Sequence, residues 1–245
     1  YNDVSARDAQ ADEMAGMLGP AKGKDFATAL GPYLVTPDEL AAWACPPKAG
    51  HTGGSLALDM VARLNGEEVS RGNMKDMDWT FAEIIELARS ESSRTGRRIG
   101  IYPETKHPSY FKSFTDATGL PRMEDLLLTQ LHAAYGNKRE APVFIQSFEV
   151  NNLQYLRSKT KMRLVQLLSA GGQPYDFQLA GDKRSYQDLA RSPGLDFLKG
   201  HVDGIGAHTQ LIVPSDGRRL QAPTALIREA HARGLPVHGW TFRAE

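Results

Sequence analysis

Two residues whose types and spacing could do chemistry follow a short apolar stretch near the middle of the chain. Residues 99–102 predict a strand buried on both faces, which Pro103 ends. Glu104 and Lys106 come next, so a carboxylate and an ammonium group are expected just past the C-terminal end of that strand. In a parallel sheet or a (β/α) barrel, ligands bind at this end, which makes Glu104 a candidate metal ligand and Lys106 a candidate phosphate contact. A surface salt bridge between the two side chains would explain the same spacing.

The sequence around these two residues resembles a known family. From about Ser90 to the C-terminus it is similar to the glycerophosphodiester phosphodiesterase family, closest to its periplasmic branch. The strings that carry the resemblance are IGIYPETKHPSYF, PVFIQSFEVNNLQYL, KMRLVQLL, VDGIGAHTQLIVP and AHARGLPVHGWTFRAE. The resemblance implies hydrolysis of a glycerophosphodiester to glycerol 3-phosphate and an alcohol, with Ca²⁺ or Mg²⁺ polarising the phosphoryl oxygens. It implies that Glu104 is one of the metal carboxylates and that Lys106 is the catalytic lysine at the phosphate.

The same resemblance implies a substrate pocket formed by three further residues. Gln146 and Phe148 belong to the string QSF, and Trp240 belongs to the string GWTF. All three are expected at the C-terminal ends of strands, where a barrel places its ligand. Considered without the family, Phe148 and Trp240 are more typical of core aromatics than of ligand platforms.

The implied chemistry needs more groups than this part of the chain supplies. A pair of histidines is required as general acid and base, together with two carboxylates from the early strands. The first 80 residues contain one histidine, His51, in a glycine-rich loop. We therefore expect this chain to turn over phosphodiesters far more slowly than an intact relative.

The beginning of the chain resembles a second family. The strings NDVSARD, GKDF and LNGEEVSRGNMKDMDWTFAEII are similar to the fumarylacetoacetate hydrolase family. This resemblance implies that Asp3 ligates a divalent metal, that Arg7 and Gln10 face the substrate, and that Lys24 contacts the substrate's oxygens. The implied reaction is a Mg²⁺-dependent C–C hydrolysis or decarboxylation of an acylpyruvate.

The metal site of the second family is incomplete in this sequence. Its paired glutamates would lie upstream of Asp3, and one carboxylate is a poor site for a divalent ion. Without the family, the charged residues of NDVSARD would be explained as a helix-start cap with charge pairing. We also expect from the first residue, Tyr1, and from the ending GWTFRAE that the chain is cut at both ends.

The elements that must position these residues follow from periodicity. Alternating apolar residues over 55–70 predict a β-hairpin that turns at Asn65-Gly66 and packs through one apolar face, which includes Met60. Thr80 and Glu83 predict a capping box at the start of an amphipathic helix. After it, strands and helices alternate. The predicted elements are strands at 99–104, 143–148, 163–168, 204–208 and 237–242, and helices at 123–135, 151–158 (behind an asparagine cap), 186–190 and 222–233.

These elements predict an α/β fold, a partial TIM-like barrel of about five βα units, after a β-rich segment of fumarylacetoacetate hydrolase type. We expect residues 1–88 to form the segment and residues 89–245 the partial barrel, with the two resemblances joined inside the helix after Thr80. An apparent chimera of two fragments explains this better than a domain fusion, because no linker rich in proline, glycine or serine separates the halves.

Composition limits the partners. Lys plus Arg equal Asp plus Glu at 29 each among 245 residues, which argues against nucleic acid, and no apolar run is long enough to span a bilayer. A small-molecule phosphodiester is the expected partner, and the oligomeric state stays open. The first half suggests a cytoplasmic protein and the second a periplasmic one. A third interpretation, beside the two enzymes, is an inactive fragment or binding module.

Overall fold

The computed structural model describes residues 2–3, 28–29, 40–119, 121–216 and 219–242. The chain divides into two compact units, one made of 1–47 and 54–76 and the other of 48–53 and 77–245.

The described part of the first unit consists of short antiparallel strand pairs, as the predicted β-rich segment requires. β1 pairs with β2, β3 with β4, and β5 with β6. The strands are β1 (Asn2–Asp3), β2 (Thr28–Ala29), β3 (Ala44–Cys45), β4 (Ser55–Leu56), β5 (Asp59–Leu64) and β6 (Glu67–Asn73), with 3-10 turns at Ala41–Trp43 and Met74–Asp76.

The predicted hairpin is formed by β5 and β6. Asn65 and Gly66 connect them with φ of 52° and 86°, the two positive values that a type I′ turn needs. The predicted packing of the apolar face is wrong at Met60, which is 59% exposed. Ion pairs stabilise the hairpin from its other face, where Arg71 donates to Asp59 at 2.6 Å and to Glu68 at 2.7 Å.

The second unit begins with the predicted capped helix, α1 (Phe81–Thr95). The Thr80 hydroxyl accepts from the backbone N–H of Glu83 at 3.3 Å, and the Glu83 carboxylate accepts from the backbone N–H of Thr80 at 2.8 Å. The capping box is therefore confirmed. The helix ends at Gly96, which has a φ of 65°.

Glu83 makes the stability of α1 depend on pH. The hydrogen bond from the Thr80 N–H, followed by those from the Thr52 N–H and the His51 ring, lowers the pKa of Glu83 from 4.5 to about 2. A carboxylate whose pKa is lower in the folded state stabilises the fold at pH values above its unfolded pKa. This stabilisation is lost as the pH falls towards the folded pKa.

We expect urea unfolding to show wild type more stable than Glu83→Gln at pH 6, with the difference in the free energy of unfolding shrinking between about pH 4.5 and 2. Glu86→Gln, one turn further on an exposed face, should show no such trend; a difference for Glu83→Gln that stayed constant with pH would contradict the prediction.

The core of the second unit is a parallel sheet with the strand order β10-β9-β8-β7. Its strands are β7 (Phe144–Ser147), β8 (Arg163–Leu168), β9 (Gly204–His208) and β10 (Val237–Trp240). Helices that lie between and before these strands are α2 (Pro108–Thr118), α3 (Met123–Tyr135), α4 (Val150–Lys159), α5 (Tyr175–Ala180), α6 (Tyr186–Leu189), α7 (Ser192–Lys199), α8 (Thr209–Ile212) and α9 (Leu226–His231). Residues that alternate along the strands, such as Ile145 and Ile205, are fully buried in the apolar core.

The predicted strand at 99–104 is present only as two parallel bridges, from Ile101 to Val143 and from Glu104 to Gln146. The Ile101 N–H donates to the carbonyl of Pro142, two residues before β7, at 2.9 Å, and the Thr105 N–H donates to the carbonyl of Gln146 in β7 at 3.0 Å. The donor that would lie between them is missing because residue 103 is proline. Burial on both faces is also wrong, since Tyr102 is 40% exposed.

Gly100 lets this bridged segment lie close to the main chain before β7. A Cβ atom at this position would lie 2.5 Å from the carbonyl oxygen of Pro142, the same oxygen that accepts from the Ile101 N–H. The approach therefore needs glycine.

We expect Gly100→Ala to lower the free energy of unfolding by about 1–3 kcal/mol, because the backbone must move to relieve the clash. Gly171→Ala is the matched control, since a Cβ there meets nothing within 4 Å. Equal unfolding midpoints for the two variants in urea would show that the close approach is unimportant.

The sheet is curved. Neighbouring strands lie about 4.8 Å apart, so in a flat sheet β10 and the 101–104 segment would be about 19 Å apart. The Tyr102 hydroxyl nevertheless lies 2.7 Å from His238 Nδ1, and both rings contact Phe144 edge-on. The two outer members of the described sheet thus meet through side chains across a concave interior, which confirms a partial barrel. Among the described residues these two members do not pair with each other, so the sheet stays open.

We expect the Tyr102 to His238 contact to contribute a coupling energy of about 1 kcal/mol. Tyr102→Phe and His238→Phe keep the ring contacts and remove the hydrogen bond. In a double-variant cycle followed by chemical unfolding, the two losses should therefore not add. Fully additive losses would mean that the sheet curves without this contact.

Other predicted elements needed correction. The helix predicted at 151–158 starts at Val150, and its cap is Asp176 of α5 and not an asparagine: the Asp176 carboxylate accepts from the N–H groups of Val150 and Asn151. The helix predicted at 222–233 is shorter, Leu226–His231. Helix α2, which begins two residues after Lys106, was not predicted, and neither were α5, α7 and α8. None of the helices in the described ranges is long and apolar enough to cross a bilayer.

Candidate functional site

The C-terminal edge of the curved sheet holds a cavity of about 470 Å³. Four of the predicted site residues line it, namely Glu104, Gln146, Phe148 and Trp240. They come from the bridged segment, from β7 and the residue after it, and from the end of β10. The structure thus brings together side chains that are up to 136 positions apart, while their roles stay predictions.

Lys106 lines a second cavity, of about 370 Å³. Glu104 and Phe148 line both cavities, so the two meet at these residues. The second cavity also contains Glu149 and Tyr186. Lys106 and Trp240 therefore lie on opposite sides of the boundary that Glu104 and Phe148 form.

Trp240 is held rigidly in the first cavity. Its indole N–H donates to the carbonyl of Gly206 at 2.9 Å, and its ring packs edge-on against Phe148 and His208, with centroids 5.7 and 4.9 Å away. A Cβ atom at Gly206 would lie 2.5 Å from a methyl group of Leu167. A side chain at Gly206 would therefore clash with Leu167 on the neighbouring strand, β8.

The histidines near the first cavity are already engaged. His208 Nδ1 accepts from the backbone N–H of Gln210 at 3.1 Å, and His238 is bonded to Tyr102. Burial lowers the pKa of both, and the charge of Arg163 lowers that of His238 further. Both are therefore biased towards the neutral imidazole.

The second cavity contains a group that sequence reasoning missed. Glu149 is only 4% exposed and accepts two hydrogen bonds from Ser109, one from its N–H at 3.1 Å and one from its hydroxyl. Burial raises the pKa of Glu149, and the neighbouring carboxylate of Asp176 adds to this. The sequence signal that could have indicated Glu149 was a carboxylate directly after the QSF string.

The described residues do not fit a divalent metal site around Glu104. The acidic side chains that line the two cavities are Glu104 and Glu149, and Glu149 is bonded to Ser109. Within the described ranges no three histidine, cysteine, aspartate or glutamate side chains gather as a metal-binding group. Ca²⁺ and Mg²⁺ need several oxygen ligands, so Glu104 alone would hold either ion weakly.

The site residues predicted near the beginning of the chain are not brought to these cavities by anything that the structure describes. Asp3 lies in β1, where its backbone pairs with Thr28. Arg7, Gln10 and Lys24 lie outside the described residues. Their roles stay predictions.

Two family models match the chain. The Glycerophosphoryl diester phosphodiesterase family model matches residues 53–245, and the Fumarylacetoacetate (FAA) hydrolase C-terminal model matches residues 1–95. Both resemblances drawn from the sequence are thereby confirmed. The matches overlap at residues 53–95, and the predicted change of identity near residue 88 falls inside this overlap and stays a prediction.

Curated proteins match both parts. Glycerophosphodiester phosphodiesterase GDPD6 of Arabidopsis thaliana is 31% identical over 174 residues, which cover 68% of this chain and 44% of that protein. Glycerophosphodiester phosphodiesterase of Haemophilus influenzae is 23% identical over 178 residues, 68% of this chain and 48% of that protein. The 2,4-didehydro-3-deoxy-L-rhamnonate hydrolase of a Sphingomonas species is 32% identical over 102 residues, 42% of this chain and 29% of that protein. The chain spans about half the length of the phosphodiesterases that it matches.

Proposed function

The chain belongs to the glycerophosphoryl diester phosphodiesterase family through residues 53–245, and on that premise we propose that its second unit binds glycerophosphodiesters at the C-terminal edge of the curved sheet. The reaction of this site, where it is complete, is hydrolysis to glycerol 3-phosphate and an alcohol. Two of the relatives are named for this class of substrate.

The observation that carries the proposal is the meeting of two cavities at Glu104 and Phe148. A phosphodiester has two ester arms on one phosphorus, and two adjoining cavities suit such a shape. Lys106, which lines the second cavity, supplies a positive charge for the phosphoryl oxygens, and that charge also stabilises the greater negative charge of the transition state. Gln146 offers an amide for hydroxyl groups of the glycerol, and the rings of Phe148 and Trp240 offer apolar faces for its carbons.

Binding and turnover are expected to differ. Ca²⁺ or Mg²⁺ would polarise a phosphoryl oxygen, but the described donors around Glu104 are too few to hold either ion. A missing general acid or base costs a further factor of about 10² to 10⁴. We therefore propose that this chain retains affinity for the substrate and product and hydrolyses slowly.

Titration calorimetry with glycerol 3-phosphate tests the binding. We expect Lys106→Ala to weaken binding about 10-fold or more, because a charged contact to phosphate is lost. Lys138→Ala, at an exposed lysine outside both cavities, is the matched control. Equal affinity in Lys106→Ala and wild type would remove Lys106 from the site.

The low turnover has its own test. Release of glycerol 3-phosphate from glycerophosphodiesters is followed with added Ca²⁺ or Mg²⁺ in wild type and in Glu104→Ala. We expect a rate close to the background in both. Robust release that disappears in Glu104→Ala would overturn the expectation of slow hydrolysis while supporting the substrate class.

A second candidate function rests on the match of residues 1–95 to the fumarylacetoacetate hydrolase model. It would be the metal-dependent cleavage of an acylpyruvate, with Asp3 as a metal ligand and Arg7, Gln10 and Lys24 at the substrate. Acylpyruvates belong in the same assay, with Asp3→Ala as the variant. Cleavage that depends on Asp3 would favour this reaction.

A further inference from the structure

Lys106 lies in a short connection that is held at both of its ends. The connection runs from the bridge at Glu104 to the first residue of α2, Pro108. Lys106 itself is exposed, so its position depends on what holds its neighbours. One of the groups that hold it is a buried carboxylate, whose importance for binding rests on the proposed role of Lys106 at the phosphate.

The end before Lys106 is held by buried side chains. Thr105 is 2% exposed, and its hydroxyl accepts from the Asn152 amide at 2.7 Å. Its N–H donates to the carbonyl of Gln146 at 3.0 Å. The Ser147 hydroxyl donates to the Thr105 carbonyl at 3.4 Å. Thr105 is thus fixed to β7 and α4.

The end after Lys106 is strained and lacks the usual cap. His107 has φ 50° and ψ 47°, the left-handed region that costs a residue other than glycine about 1 kcal/mol or more. His107 is the N-cap residue of α2, yet its side chain makes no capping hydrogen bond. The free N–H groups of the first turn therefore need another acceptor.

Glu149 is that acceptor. Its carboxylate receives the N–H and the hydroxyl of Ser109, which lies in the first turn of α2. The backbone N–H of Glu149 donates to the Ser147 hydroxyl at 3.1 Å, so Glu149 is itself held to the end of β7. A negative charge also suits the positive end of the α2 dipole. Burying a carboxylate is costly, and packing alone would be served as well by an uncharged side chain.

We propose that Glu149 is a positioning residue for Lys106: its buried carboxylate anchors the start of α2 and so holds the strained turn that presents Lys106 to the second cavity. Glu149 acts through Lys106 and does not itself contact the phosphate. The carboxylate lines the same cavity as Lys106, so the anchor lies beside the group that it positions.

A double-variant cycle tests this, with glycerol 3-phosphate as the titrant. Glu149→Leu removes the acceptor and should weaken binding about 10-fold when Lys106 is present. In a Lys106→Ala background the same change should alter affinity by less than about 2-fold, because there is no longer a lysine to position. Glu149→Gln keeps an acceptor oxygen and should restore most of the affinity. Glu140→Leu, at an exposed glutamate, is the control.

Equal losses from Glu149→Leu in both backgrounds would overturn the proposal, since a purely structural residue would act regardless of Lys106. If Glu149→Leu does not fold, Ser109→Ala replaces it in the cycle, because it removes one of the two hydrogen bonds and leaves the carboxylate in place.

Amide hydrogen exchange separates this inference from the proposed function. Wild type that binds no glycerol 3-phosphate would refute the proposed function. The Tyr110 N–H donates to the His107 carbonyl at 3.1 Å and so reports on the strained turn. Faster exchange at Ser109 and Tyr110 in Glu149→Leu, with unchanged exchange at the buried Leu131, would still support the anchor. Unchanged exchange at Ser109 and Tyr110 would refute it.

Discussion

The candidate site depends on the backbone pairing between residues 101–105 and β7. The two hydrogen bonds donated by Ile101 and Thr105 flank a gap that Pro103 leaves, and Gly100 allows the approach on one side. Glu104 and Lys106 are carried by this one segment. The pairing of this segment therefore decides where Glu104 and Lys106 lie relative to β7. Tyr102, in the same segment, contacts His238 of β10 across the interior of the sheet.

Buried carboxylates recur where helices begin at this edge of the sheet. Asp176 supplies the cap of α4, and Glu149 supplies the cap of α2. Burial raises the pKa of each carboxyl group, so the charges reduce stability at neutral pH. Both groups accept from backbone N–H groups in the first turn of a helix, which have no acceptor within the helix itself. These buried charges thus order the helix starts at the site, and they lower the free energy of unfolding at neutral pH.

Periodicity and capping chemistry predicted most of the second unit. The five predicted strand positions and the capped start of α1 depend on local signals, since apolar runs and the Thr80–Glu83 spacing act within a few residues. Helix α2 was not predicted because the group that caps it, the Glu149 carboxylate, is 40 positions from Ser109 in the sequence. The cap of α4 was assigned to an asparagine for the same reason, since Asp176 comes from another helix. Met60 was expected inside because alternation shows which residues share a face but not whether anything covers that face.

The environment of Trp240 makes the first cavity optically distinguishable. The chain has three tryptophans, and Trp43 and Trp79 are 54% and 52% exposed. The Trp240 indole N–H donates to the Gly206 carbonyl inside the cavity, and the Trp240 ring lies edge-on to His208 with the ring centroids 4.9 Å apart. Its fluorescence should lie to the blue of the other two and respond to the ionisation of His208. A molecule that enters the cavity would displace water from one fluorophore and leave the other two as an internal reference, so that occupancy can be followed without any label.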